Sequence, residues 1–358
     1  MVQALSTFYE SIFGCKTYKI SLDAGCTCPN RDGTKGSGGC IFCSQAGSGD
    51  FIARGGESAA GRLPISEQLE QGKKLVESKL RGRSGERQGK FIAYFQSFTS
   101  TYGDPTVLLS KYREALDCEG VAGLAVATRP DCLSPVILRD LAEISKSHFV
   151  QIELGLQTSN EKTGQLINRC YTNQNYIDAV NRIREAAPSI HIVTHLIFGL
   201  PGETEEDMLN SVKFVVEQNR HAEQNTRHPE LVKVRHPELV KVRHPELVKV
   251  RHPELDSGSS NINPDLRRDD RWGLKITSLY VLKNTLLSQM YEAGQYQPLT
   301  KEQYFDLLKK ALPLIPENCV VHRLTGDPPK SLLLAPNWTT DKKRVLNELM
   351  RIISDIHP

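Results

Sequence analysis

The sequence predicts an α/β protein built on parallel strands, and three observations predict it. Short apolar runs alternate with stretches of helical periodicity at about 30 residues per unit, the rhythm of strands joined by crossover helices. The run Phe91-Ile92-Ala93-Tyr94-Phe95 carries no charged position, as expected of a buried strand. A loop holding three cysteines follows directly on the first strand, and functional loops of β/α barrels leave the C-terminal ends of their strands.

Taken in order, Leu5, Phe8, Tyr9, Ile12 and Phe13 fall at helical spacing, so residues 1–14 are expected as a helix capping the core. Residues 17–22 alternate and give the first strand. A helix over 65–80 precedes a polar loop (81–89), the strand 91–95 and a helix over 107–118. Strands are expected at 121–128, 149–156 and 190–197, with helices at 136–147, 161–169, 173–187 and 205–218. The sixth strand, 272–281, comes late, followed by helices at 286–293 and 301–312, a short strand at 319–322 and a closing helix at 340–356.

The delay is a tandem repeat. Arg227-His228-Pro229-Glu230-Leu231-Val232-Lys233-Val234 recurs unchanged from Arg235 and from Arg243, and a further copy from Arg251 breaks down into Asp256-Ser257-Gly258. Solenoid units are longer and pack on their neighbours. With one leucine, two valines and one proline, each copy buries too little to offset its chain entropy. The expected organisation is therefore a barrel over 1–220, a disordered insertion over 221–271, and the last strand with an α-rich extension over 272–358. The basic residues of the repeat leave an RNA-binding arm as the alternative.

Bulk composition is that of an ordinary globular chain, with 39% hydrophobic and 24% charged residues among 358. A net charge of +3 permits a nucleic-acid partner without arguing for one. No run of about 18 apolar residues is present, so no membrane span is expected, and the N-terminus lacks the basic-then-apolar pattern of an export signal. Nine cysteines in such a chain fit a reducing cytoplasm better than a disulfide framework.

Cys28, Cys40 and Cys43 stand at spacing C-x11-C-x2-C in a glycine-rich loop, with no fourth cysteine or histidine close behind. A closed zinc site and a conventional iron–sulfur cluster each take four protein ligands. Three leave one metal position open, which is what reductive cleavage of S-adenosylmethionine (SAM) on a cluster requires. Gly33, Gly36, Gly38 and Gly39 suit a backbone that wraps closely around an inorganic group. The alternative is a zinc site completed by Cys26, whose C-x-C spacing to Cys28 is less usual at structural zinc.

Further stretches carry a resemblance: Leu22-Asp23-Ala24-Gly25, Gly39-Cys40-Ile41-Phe42-Cys43, Ala93-Tyr94-Phe95-Gln96-Ser97, Thr128-Arg129-Pro130-Asp131, Glu153-Leu154-Gly155-Leu156-Gln157, the run from His195 to Glu203, Leu279-Tyr280-Val281-Leu282-Lys283, and His322-Arg323-Leu324-Thr325-Gly326-Asp327. In this order they resemble the YhcC/YtqA-type radical SAM family, related to the radical SAM domain of the elongator catalytic subunit. The resemblance covers nearly the whole chain apart from roughly residues 221–271. It implies a partial (β/α)6 TIM-type barrel holding a [4Fe-4S] cluster and SAM. The implied reaction is reductive SAM cleavage that starts radical chemistry, with a reducing partner such as flavodoxin or ferredoxin and tRNA or other RNA as a candidate substrate. The alternative function is a noncatalytic RNA-binding or scaffold protein with a structural metal.

The resemblance also implies roles. Cys28, Cys40 and Cys43 match the cluster ligands, and Cys26 is a bystander where the family has an aromatic residue. Phe42 resembles the aromatic that contacts adenine. Gln157 and Arg169 match positions that contact the SAM ribose and carboxylate, roles suited to an amide and a guanidinium. Gln96-Ser97-Phe98-Thr99 replaces a Gly-Gly-Glu type motif, so Gln96 or Ser97 is the candidate for the SAM amino group. Thr277 stands where the family tends to have histidine or glutamine, which weakens a substrate or adenine contact there. Glu153, costly to bury alone, is either a SAM or substrate contact or the partner of a barrel-lining Arg or Lys. His195 is a ribose contact, a proton donor or a satisfied core histidine. Arg323 and Asp327 are either substrate groups closing the open side of the barrel or members of a salt-bridged turn.

Overall fold

The structure, a computed structural model, describes residues 3–47, 49, 52, 63–80, 89–227 and 271–356. The repeat region beyond Arg227, with most of the insertion expected over 221–271, lies outside the described residues.

Six strands follow the expected order: β2 (Thr17–Leu22), β3 (Lys90–Phe95), β4 (Val121–Thr128), β5 (Phe149–Gln157), β6 (His191–Phe198) and β7 (Trp272–Ser278). Each pairs in parallel with its predecessor. Crossovers run through helices α2 (Ile65–Leu80), α3 (Pro105–Leu116), α4 (Pro135–Ile144), α5 (Glu161–Leu166), α6 (Asn173–Ala186) and α7 (Glu205–Arg227). Helix α7 thus continues past the boundary expected at residue 220.

Two strands extend the half-barrel beyond the expected six. The run Cys319–Arg323 pairs in parallel with β7, and the two-residue β1 (Gln3–Ala4) pairs with it in turn. Between them in the chain, Val281–Leu282 forms β8, which makes β9 of Cys319–Arg323 and β10 of Leu333–Ala335. The sheet order is β1-β9-β7-β6-β5-β4-β3-β2, with β8 and β10 as a separate antiparallel pair. The C-terminal part adds helices α8 (Leu286–Glu292), α9 (Lys301–Ala311) and α10 (Lys342–Ile356).

Helix starts follow local chemistry. Asp104 accepts from the Thr106 and Val107 amides at the head of α3, with Pro105 in its first turn, and Ser134-Pro135 repeats the arrangement at α4. Thr285 and Thr300 cap α8 and α9 through reciprocal capping boxes.

Three apolar clusters bracket the interior. The largest packs the outer face of the sheet against the helices, with Trp272, Phe95, Tyr112 and Tyr304 fully buried. A second, built from Phe8 and Tyr9 of α1 (Leu5–Phe13) with Ile92, Ala125 and Val320, plugs the inner face of the strands. That is the capping role expected of the N-terminal helix. The third joins Ile41 of the cysteine loop to Ile197, Leu279, Val281 and Leu287. The space left between the second and third clusters is polar.

The turn from β5 to α6 is held by one side chain. Arg169, fully buried, donates to the carbonyls of Leu156, Thr158 and Tyr171, to Glu161 and to Asn173. Removing it leaves buried carbonyls unpaired at about 1–3 kcal/mol each. Arg169→Met is therefore expected to lower unfolding stability by at least about 3 kcal/mol, measured as a shift in the urea midpoint; an unchanged midpoint would contradict this assignment.

Candidate active site

The cysteine loop is wound on its own backbone. The Arg31 amide donates to Cys28 O at 2.7 Å, the Gly39 amide to Asn30 O at 2.8 Å and the Cys43 amide to Cys40 O at 2.9 Å. Gly38 and Gly39 take positive φ at 78° and 81°, where a side chain would be strained. Gly36, expected to do the same, does not. Its constraint is space, since a Cβ there would stand 3.1 Å from the Cys170 sulfur.

Buried Asn30 ties this loop to the β5–α6 turn, its amide donating to the carbonyls of Asn168 and Arg169 at 2.6 and 3.2 Å. Asn168 answers by donating to Gly39 O at 2.8 Å. Loop and turn are therefore one unit, although 138 residues separate Asn30 from Asn168.

Cys26 belongs to the main apolar core. Cys28, Cys40 and Cys43 are not part of that core, so the burial of Cys26 among apolar side chains speaks against its serving as a fourth zinc ligand. Burial pushes the Cys40 thiol up to about 12, and the neighbouring Cys43 and Cys28 add to this while Arg129 opposes it. A Cys40 thiol whose ionisation is opposed by burial and by two neighbouring thiols calls for a cation beside it. Among the described residues no three His, Cys, Asp or Glu side chains converge as the ligands of one ion do. Ligands to separate irons of a cluster need not converge in that way.

Arg129 lies beside these thiols. Its Nη1 is 3.9 Å from Cys28 Sγ, and its Nε and Nη2 grip Asp131 at 2.9 Å, with Lys35 on the other side of that carboxylate. The Thr128-Arg129-Pro130-Asp131 motif thereby acquires a charge at the cysteine loop. Cys170 also falls within electrostatic reach of Cys40, and its thiol is engaged with Asn168 Oδ1 at 3.1 Å.

A cavity runs from this loop into the half-barrel. Its outer part is lined by Phe42, Cys43, Gln96, Thr277 and Leu279. Ser97 Oγ, two residues past the end of β3, and Gln157 Oε1, at the end of β5, are buried without a partner, and Gln157 holds φ at 70°. A buried polar atom left unpaired costs about 1–3 kcal/mol. Two such atoms at the strand ends from which functional loops leave are what a site for a polar ligand would show, and with the three-thiol loop the residues fit a [4Fe-4S] cluster carrying SAM.

The inner part is charged. Glu153 is buried, with Lys19 Nζ 2.6 Å from Oε1, Gln151 Nε2 2.7 Å from the same oxygen, Tyr94 donating to Oε2 and Lys275 3.6 Å from it. Burial opposes ionisation, yet Lys19 and Lys275 hold the carboxyl well below the usual range. Of the two readings of Glu153, the ion pair with barrel-lining lysines is the one observed. His195 shares a 2.9 Å hydrogen bond with Thr277 Oγ1, and burial followed by the Lys275 charge keeps its imidazole neutral. Arg323 and Asp327 both line the cavity, and Asp327 also pairs with Lys342 at 2.5 Å. For Asp327 the cavity wall and the salt-bridged turn are thus both realised.

One expected role is corrected. Arg169 has all five N–H donors engaged within the β5–α6 turn, so none remains for the SAM carboxylate. Lys19, Lys275 and Asn30, and Tyr94 and Arg129 within two of the motifs above, are site groups to which the sequence assigned no role. A lysine inside each of two short apolar strands was the available signal for the first two.

Residues 33–215 match the family model described as the Radical SAM superfamily, and residues 271–354 match the Radical_SAM C-terminal domain. The chain is 34% identical over 337 residues to the uncharacterized protein YtqA of Bacillus subtilis, covering 94% of this chain and 84% of that one. It is 28% identical over 344 residues to protein YhcC of Escherichia coli, covering 96% and 89%. Among solved structures, the archaeal Methanocaldococcus infernus Elp3 superposes with a TM-score of 0.55 at 14% identity. That match covers 94% of this chain, which spans 63% of the Elp3 chain. With the three-cysteine loop, the half-barrel and its polar interior already in place, these matches make the chain an enzyme-class member of the radical SAM superfamily.

Proposed function

We propose that this protein binds a [4Fe-4S] cluster through Cys28, Cys40 and Cys43, leaving one iron open to SAM, and that a substrate occupies the half-barrel interior beneath it. The observation that carries the reading is the pair of unpartnered buried atoms, Ser97 Oγ and Gln157 Oε1, at the C-terminal ends of β3 and β5. When bound, the cluster and SAM supply reductive cleavage of the sulfonium and so radical chemistry on a substrate.

The chain's own groups bind and orient. Phe42, which lines the cavity, offers a face for the adenine, and Gln157 offers an amide to the ribose hydroxyls. Ser97 or Gln96 receives the SAM amino group. His195, neutral and aligned by Thr277, stands where it can donate or accept a hydrogen bond. The floor beneath, plugged by Phe8 and Tyr9, excludes water from that side. Electrons are expected from a flavodoxin- or ferredoxin-type partner. A tRNA substrate rests on the elongator resemblance, which speaks for the fold.

Anaerobic reconstitution with iron and sulfide, followed by reduction in the presence of SAM, is expected to load about four irons per chain and to release 5′-deoxyadenosine. Cys40→Ser is expected to lose the cluster absorbance and the product, whereas Cys170→Ser keeps both. A fully loaded protein that forms no 5′-deoxyadenosine would refute the assignment. Arg129→Gln removes a cation beside the Cys28 sulfur and is expected to make the cluster harder to reduce, by tens of millivolts in a redox titration followed by electron paramagnetic resonance. An unchanged potential would remove Arg129 from the electrostatics of the centre.

A further inference from the structure

We propose that the inner part of the cavity takes the anionic end, a carboxylate or a phosphate, of a small-molecule substrate, seated between the Lys275 ammonium and the Arg323 guanidinium. The inference rests on the SAM-site reading above and names the substrate class that site would serve.

The first ground is charge balance. Lys19, Lys275 and Arg323 all line the cavity. Against them stand the carboxylates of Glu153 and Asp327, and Asp327 is matched by Lys342 at 2.5 Å. Among the described residues Glu153 neutralises one lysine, leaving two positive charges over. The Lys275 side chain is largely buried, and a charge so enclosed ordinarily comes paired, because an unpaired one forfeits its hydration, whereas Arg323 stands at an exposed position.

The second ground is where spare donors lie. Lys19 sits 2.6 Å from Glu153 Oε1, whereas Lys275 is 3.6 Å from Oε2, an oxygen that already accepts from Tyr94. Arg323 has no carboxylate partner among the described residues, and its fork of donors suits a carboxylate or a phosphate. The neighbouring polar groups, the Tyr94 hydroxyl and the neutral His195 imidazole, carry no charge that would compete for an anion.

The third ground is depth. The lysine side chains are only 16% and 14% exposed. On β7, Lys275 lies two residues before Thr277, which lines the same cavity nearer the cysteine loop. Residues two apart on a strand share a face. An anion held by Lys275 would thus lie on the far side of the SAM position from the cluster, with the rest of its carbon skeleton directed back towards it. A lysine this deep, with the exposed Arg323 beside it in the cavity wall, suits one end of a small ligand rather than the backbone of a nucleic acid.

The groups facing Lys275 agree. They are Lys19 on β2, Tyr94 on β3, Glu153 on β5, His195 on β6 and Arg323 on β9. Burial, then Arg323 and Lys19, outweigh Glu153 and bring the Lys275 ammonium down to about 8. A bound anion would favour its protonated form. Binding should therefore be full below that value and weaken as the pH rises through it.

The test uses the reconstituted full-length protein, first loaded with SAM and then titrated calorimetrically with succinate and, separately, with inorganic phosphate. Saturable binding of either at one site is expected, and the stronger of the two identifies the headgroup. Succinate stays dianionic across the window, so its affinity should fall about 10-fold between pH 7 and pH 9. Arg323→Gln, a change at an exposed position, and Lys275→Met should each weaken succinate or phosphate at least about 10-fold, with SAM affinity unchanged. Normal SAM binding with no uptake of either anion would overturn the proposal, as would unaltered anion binding by both variants. Competition between the anion and SAM would also overturn it, by showing that the cations serve the SAM carboxylate. Failure of the loaded protein to bind SAM would instead defeat the SAM-site reading beneath it.

Discussion

The carboxylate of Glu153 sits inside the half-barrel, and the rest of the interior is arranged around its needs. Both oxygens have partners, and the partners come from separate strands: Lys19 from β2, Tyr94 from β3, Gln151 from β5 itself and Lys275 from β7. β2 and β7 are five places apart in the sheet order, so a flat sheet would hold their side chains far from one another. Curvature brings both to one carboxylate. A buried charge pair is weak evidence for net stability, because desolvation offsets much of the attraction. It is better evidence for specificity, since the pairing is satisfied only when the curved sheet is correctly closed around it.

The same network reaches the N-terminus. Tyr9 donates to Gln151 at 3.1 Å, and Gln151 donates to Glu153. Helix α1 therefore plugs the inner face of the strands through Phe8 and Tyr9 and also orients a group that satisfies the buried carboxylate. Packing and polar satisfaction fall on the same helix, so the floor of the cavity depends on residues at the start of the chain.

The opposite end is organised by backbone rather than charge. The cysteine loop and the β5–α6 turn exchange hydrogen bonds through Asn30 and Asn168, and Arg169 fixes that turn from beneath. Arg169 is thus a positioning residue, which holds the segment against which the loop is folded. Between loop and floor the cavity lining changes from neutral groups at Phe42, Gln96 and Thr277 to cations at Lys275 and Arg323. A ligand bridging the two would meet different chemistry at its two ends, which is how a site of this kind fixes orientation.

Much of this was legible along the chain. The strand from Thr17 to Leu22, the strand from Val121 to Thr128 and the helix from Ile65 to Leu80 stand at the boundaries that periodicity predicts, because apolar spacing reflects which face is buried. The C-x11-C-x2-C spacing marked the candidate metal loop, since its three cysteines are close in sequence. The short β1 and β10 were not legible. Each is two or three residues long and is a strand only through its distant partner. Nor was the role of Arg169, whose residue type fits a carboxylate ligand until its five neighbours are in place. The sequence by itself determined the order of the β/α units and the three-cysteine loop, because both depend on neighbours a few residues apart. Only the tertiary structure decided that Lys19, Glu153, Lys275 and Arg323 share one cavity, because strands β2, β5, β7 and β9 meet through sheet curvature, and nothing local encodes that.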